Sequence, residues 1–294
     1  MFIDYFFIKI YREIINFMKD LKDFEKRIGI SSACFYPMLT EDAFDVICDK
    51  LKYKVCELFL NTQSETEVNF LKSIKSKADD NEIKITAVHP YYSGYEPFMF
   101  FTEYKRRLTD SIKLYGMFFE AAQFLQSDFV IFHGLGPRKL TVSIDEYTET
   151  FLLIAEEAKK YGVELLHENV GAINLYIKDM IKISPDIKFV LDFKHAVTQG
   201  FDVCDIIEAM GKNIAHIHLN DMYLQDSSQT VSKTEMCRLP FFGNLNYFNI
   251  FKKLKSDDIN YIGNFITEVY RYNYTDQSEI TESKNKFMTF LRDV

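Results

Sequence analysis

Short apolar runs alternate along this chain with longer stretches whose apolar residues recur every three to four positions. Runs rich in β-branched and aromatic residues read as strands: RIGISSACF (27–35), YKVCELFL (53–60), KITAVHPYY (84–92), DFVIFHG (128–134), VELLHENV (163–170), IKFVLDF (187–193), IAHIHLN (214–220) and YIGNFITEVY (261–270). Between them lie helical patterns such as YTETFLLIAEEAKKYG (147–162), which closes on Lys159, Lys160 and Gly162. Strands that alternate with helices imply parallel pairing. Eight such units in 294 residues match an α/β fold, a single-domain (β/α)8 TIM barrel. An open doubly wound sheet is the rival, but no strand is followed by a GxGxxG or GxxxxGK[ST] loop. Two insertions stand out: 93–127, read as one bent helix or two, and a polar loop at 222–243.

The barrel is assigned to residues 27–294, preceded by a helical extension at 1–26. The stretch MFIDYFFIKIYREIINF is apolar, but Asp4, Lys9, Arg12 and Glu13 interrupt it. It falls short of the roughly 20 apolar residues of a membrane span and lacks the basic start and small-residue cleavage site of a signal peptide. It reads either as an amphipathic helix packed on the fold or as sequence upstream of a true start at Met18.

Composition narrows the class. Apolar residues make up 47% and aromatic residues 16%, enough for a large core. A net charge of −8 argues against a nucleic-acid partner, and Lys105-Arg106-Arg107 reads as a solvated helix face. The five cysteines, Cys34, Cys48, Cys56, Cys204 and Cys237, show no CxxC spacing, which points to a reducing, cytoplasmic compartment.

In a barrel of this kind the active site lies at the C-terminal ends of the strands. All six histidines, His89, His133, His167, His195, His216 and His218, fall at or beside those ends in strands three to seven. Glu57 lies on strand two, Glu168 and Asn169 end strand five, Asp192 ends strand six, Asn220 and Asp221 follow strand seven, and Glu268 ends strand eight. Imidazole with carboxylate is the donor set of zinc, manganese, cobalt or iron. Side chains alternate along a strand, so His167 and Glu168 cannot both face the mouth. Glu168 is assigned inward and His167 to packing beneath a helix or to supporting a ligand. His216 and His218 share a face; His218 is the better ligand, and His216 fills a lower layer of the barrel. Glu57 is open between a substrate contact and a structural acid.

The series HENVG (167–171), LDFKHAVTQGFDV (191–203), HLND (218–221) and TEVY (267–270) resembles the xylose-isomerase-like barrel superfamily, which includes sugar-phosphate isomerases and epimerases and the AP endonuclease IV branch. The resemblance implies one divalent metal (Mn, Zn, Co or Mg) held by Glu168, Asp192, His218 and Glu268. It implies that Glu168 and Glu268 exchange the substrate proton through a metal-stabilised enediolate. The endonuclease branch implies further metal ligands at His89, His133 and His195. Its Asp-x-His falls here on Glu235 and Cys237, which puts a third metal in doubt. Lys194, His195, Asn220, Cys237 and Arg238 are candidate metal or substrate contacts, and Arg138 and Lys139 candidate phosphate contacts. The expectation is a sugar or polyol isomerase or epimerase, with a zinc-dependent AP endonuclease IV-like phosphodiesterase as the alternative. A homo-oligomer is compatible with the chain.

Overall fold

The computed structural model describes residues 24–136, 142–223 and 236–293. The bulk of the N-terminal extension, Arg138, Lys139 and Glu235 lie outside the described residues. The barrel strands are β1 (Ile28–Ser31), β2 (Val55–Leu60), β3 (Lys84–Pro90), β4 (Phe129–Phe132), β5 (Glu164–Glu168), β6 (Phe189–Asp192), β7 (Ile214–Leu219) and β10 (Asn264–Thr267). They close in the order β1-β10-β7-β6-β5-β4-β3-β2, and every barrel pair is parallel. The chain is therefore a TIM barrel, in one domain. Two short strands, β8 (Asp221–Met222) and β9 (Cys237–Arg238), pair antiparallel beside the mouth.

The expected 93–127 insertion is two helices, α3 (Glu96–Phe100) and α4 (Lys105–Leu125); α1 (Thr40–Asp45) and α2 (Val68–Asp80) precede them. The 147–162 pattern is α5 (Ile144–Lys159), capped by the Ser143 side chain, which accepts from Glu146 N. The remaining helices are α6 (Ile177–Ile183), α7 (Phe193–Thr198), α8 (Val203–Met210), α9 (Tyr247–Leu254) and α10 (Gln277–Asp293).

Several strands stop earlier than their apolar runs. The first turns into a 3-10 helix at Ser32, and the last ends at Thr267, one residue before Glu268. The early end of β10 leaves Glu268 on a turn at the rim, while Glu168, Asp192 and His218 still pair within the sheet.

Strand alternation builds the site directly. Ala87, Ile131, Leu166 and Val190 form an apolar plug separate from the main core. Two positions further on stand His89, His133, Glu168 and Asp192, on the same inward face. The plug is the floor, and the polar residues are the layer above it.

Candidate active site

Asp192 is held almost immobile. Asn169 Oδ1 accepts from Asp192 N at 2.6 Å, and Asn169 Nδ2 donates to Asp192 O at 3.1 Å. Asn174 in turn fixes Asn169, donating to its carbonyl at 2.8 Å. Asp192 Oδ1 takes hydrogen bonds from Asn220 Nδ2 at 3.0 Å and His195 N at 3.2 Å, the latter capping α7. Its Oδ2 is buried without a hydrogen bond; its nearest ion-pair partner is Lys194 Nζ at 3.1 Å. One oxygen is thus spent on positioning, and the other is left to a cation.

His218 Nδ1 lies 2.9 Å from Glu168 Oε1, 3.3 Å from Glu268 Oε2 and 3.9 Å from Asp192 Oδ2. These four residues offer donor atoms within 4.8 Å of one another. Three carboxylates and an imidazole on rigid strand ends are a borderline-hard set suited to a divalent cation, so this group fits the ion that the sequence resemblance implies. Burial opposes the charge on Glu268, but His218 and Lys194 outweigh it and hold its carboxyl at about 2. Burial likewise opposes ionisation of Glu168, while His133 and His218 hold it well below the usual carboxylate range. Burial acts against protonation of His218, yet Glu268, Glu57 and Glu168 together raise it well above an ordinary imidazole.

A second donor group shares Glu168. His133 Nε2 is 2.5 Å from Glu168 Oε2 and 3.0 Å from His89 Nε2. His89 Nδ1 faces the Pro90 carbonyl at 3.2 Å, so Nδ1 carries the proton and the Nε2 lone pair points at the cluster. Burial lowers His89 to about 4, which keeps it neutral.

Lys194 and His195 do not continue the strand; both stand on the first turn of α7. From there Lys194 Nζ reaches Asp192 and, at 3.5 Å, Glu268 Oε2, while lying 5.0 Å from the centre of the Tyr270 ring. Burial opposes the Lys194 charge, but Asp192 and Glu268 raise its pKa well above the usual value. His195 Nε2 is 3.7 Å from Glu168 Oε1 and 3.8 Å from Asp192 Oδ2. The mouth opens into a cavity of about 620 Å³ lined by Tyr36, Phe59, Asn61, Gln199 and Tyr270 together with Lys194, His195 and Glu268.

The remaining candidates separate. His167 faces outward beneath α5, where Tyr147 Oη lies 2.5 Å from its Nε2, in keeping with packing under a helix. His216 sits fully buried a layer below His218. Glu57 is also fully buried, on the side of His218 away from Glu168, with its Oε2 2.9 Å from His218 Nε2. Cys237 is buried beside the site; burial pushes its thiol up to about 12, with Lys194 opposing and Asp192 and Glu268 adding to the rise. Arg238 pairs through β9 with Asp221 of β8 and donates to the Cys237 carbonyl at 2.8 Å. Sequence reasoning missed Glu96, which α3 brings to the base of the His133 turn. Its only signal was an acid inside the aromatic run YEPFMF.

A closed parallel barrel with a polar layer at its C-terminal mouth is the architecture of a (β/α)8 enzyme. The chain belongs to the xylose isomerase-like TIM barrel family, whose model matches residues 46–291. Among solved structures, it is similar to a D-tagatose 3-epimerase-like protein at 21% identity, covering 91% of this chain and 98% of the other, with a TM-score of 0.70. D-psicose 3-epimerase from Clostridium cellulolyticum H10 aligns at 15% identity over 91% and 99%, TM-score 0.71. IolI protein with a bound zinc atom aligns at 17% over 90% and 97%, TM-score 0.71. No curated protein matches the chain by sequence. Among the described residues, no helix is long and apolar enough to cross a membrane.

Proposed function

We propose that this chain is a divalent-metal-dependent isomerase or epimerase of a sugar, sugar phosphate or polyol. The observation that carries the reading is the convergence of Glu168 and Glu268, from β5 and from the turn after β10, on His218 Nδ1 at 2.9 and 3.3 Å with Asp192 beside them. The epimerases among the similar structures support the same class of reaction.

In this reading Glu168, Asp192, His218 and Glu268 hold the cation, which when bound supplies Lewis-acid stabilisation of enediolate charge and orients substrate oxygens. Glu168 and Glu268 are both ionised near neutrality, and each is ready to take a proton from the carbon beside the carbonyl. They come from different sides of the mouth, so one removes the proton and the other returns it on the opposite face. His195 and Lys194 stand at the cavity wall to hold substrate hydroxyls, and Asn220 keeps Asp192 in register. The aromatic rings of Tyr36, Phe59 and Tyr270 line the cavity and offer faces on which the carbon skeleton can pack. Five thiols with no disulfide partner support a reducing, cytoplasmic setting.

Proton exchange into ketoses, inosose-type keto-polyols and their phosphates in deuterated buffer tests the reading. Glu168→Gln and Glu268→Gln should each abolish exchange with the fold intact; near-normal exchange in either rejects the assignment. One observation favours a second reading, a zinc-dependent phosphodiesterase of the AP endonuclease kind: the additional donor group His89, His133 and Glu168. Against it stand the net charge of −8 and the protonated Cys237 thiol where the endonuclease branch carries a histidine. Three tightly bound zincs with cleavage of an abasic duplex would establish that alternative.

A further inference from the structure

Beneath the mouth lies a carboxylate that the proposed chemistry leaves unexplained. Glu57 is fully buried in the barrel interior on β2, where the strand's register against β3 shifts between Cys56 and Glu57. Burying a lone carboxylate costs several kcal/mol unless something offsets it. Its Oε2 is 2.9 Å from His218 Nε2 and 3.2 Å from His216 Nε2. The other ring nitrogen of His218 faces Glu168, Asp192 and Glu268. The imidazole therefore spans two acidic layers, with Glu57 below and the mouth carboxylates above.

We propose that Glu57 is the positioning residue of the cation site: by accepting from His218 Nε2–H it fixes the tautomer in which the Nδ1 lone pair points at Glu168, Asp192 and Glu268. This rests on the reading of those residues as a divalent-cation site. A cation at Nδ1 would displace the proton there and leave an imidazole with one N–H; an acceptor fixed under Nε2 assigns that hydrogen and leaves Nδ1 as the donor atom. It also makes the ring a better donor and locks its orientation. His216 Nε2 lies 3.2 Å from the same Glu57 oxygen, one layer down. Glu57 acts through His218 and touches neither substrate nor cation.

The test is the affinity for Mn²⁺ and Zn²⁺, measured by competition with a chromophoric chelator, in wild type, Glu57→Gln and Glu57→Leu. Thermal melts confirm that each variant is folded. Leu removes the acceptor, and its affinity should fall roughly 10- to 100-fold. Gln keeps an acceptor oxygen and should lie between Leu and wild type. The Co²⁺ absorption spectrum of the Leu variant should shift as the His218 ring reorients. A Leu variant within twofold of wild type overturns the proposal, as do equal losses in Gln and Leu. Absence of cation binding by wild type overturns the underlying reading as well, and is seen before any variant is compared. If Leu does not fold, the comparison between Gln and wild type decides: a weakened affinity with a shifted Co²⁺ spectrum in Gln supports the proposal, and an unchanged affinity and spectrum rejects it.

Discussion

Glu96 accepts the backbone N–H of His133 at 2.8 Å, so a side chain from the insertion between β3 and β4 fixes where the β4 mouth residue turns. The same oxygen accepts from Gly134 N at 2.5 Å, and Tyr115 donates to the other. Gly134 has φ +69°, and a Cβ there would overlap the Tyr147 hydroxyl, so the turn requires glycine at this position. Burial raises Glu96 to about 7, with His133 and Tyr115 opposing the rise. Glu96→Leu strands two backbone donors and a phenol, and should lower stability by about 3 kcal/mol. Glu96→Gln keeps the acceptor and should lose less than half of that. Urea denaturation followed by circular dichroism reads both values, since the chain has no tryptophan. Equal stability in the two variants would reject the anchoring role.

Lys194 supplies a built-in cation to the acidic mouth. Its ammonium pairs with Asp192 at 3.1 Å and with Glu268 at 3.5 Å, two of the carboxylates assigned to the metal. Lys194→Met leaves those carboxylates without that partner, so the metal-free variant should melt several degrees below wild type. Added Mn²⁺ then has more to offset. The rise in Tm on adding Mn²⁺ should be larger in Lys194→Met than in wild type, as calorimetry at matched concentrations would read. An equal or smaller rise would mean that the lysine does not compete for the acidic charge.

Asn220 tests the orientation of Asp192. Its Nδ2 occupies Asp192 Oδ1 at 3.0 Å and leaves Oδ2 for the cation. Asn220→Ala frees the carboxylate to rotate. Mn²⁺ affinity should fall about tenfold, while the melting temperature of the metal-free protein drops by only a few degrees. Unchanged affinity would show that Asn169 and the α7 cap suffice to hold Asp192.

Strand periodicity made most of this site readable in the sequence. Glu168, Asp192 and His218 follow directly from period-two alternation at strand ends, as do the outward His167 and the lower His216. What periodicity left open, and the one residue it missed, have specific causes. Lys194 and His195 fall where the backbone changes from extended to helical at Phe193, so strand parity ceases to apply and both side chains reach the mouth. Glu57 faces inward across a register shift, and its partners lie 159 and 161 positions away on β7. Glu96 belongs to an insertion whose position over β4 depends on packing between α3, α4 and Phe132, which no local pattern encodes.

His167 gives a pH dependence that does not involve the mouth. Its Nδ1 faces the Glu168 carbonyl at 2.7 Å, so Nδ1 carries the proton; Nε2 then accepts from Tyr147 O–H. The neutral ring is satisfied on both sides, and burial lowers its pKa to about 4, with the Glu168 carbonyl opposing. The unfolded value lies near 6.5. Because the folded pKa is depressed, the unfolded chain binds the proton first as pH falls. The contribution is present in full above about 6.5 and is lost progressively between there and 4, to a total on the order of 3 kcal/mol. His167→Gln keeps a partner for Tyr147 but cannot titrate. Its unfolding free energy should therefore fall less steeply than that of wild type between pH 6.5 and 4.5, with His89 supplying part of the slope that remains. Urea titrations at half-unit pH steps on both proteins measure the difference, and parallel curves would show that His167 is not the group responsible.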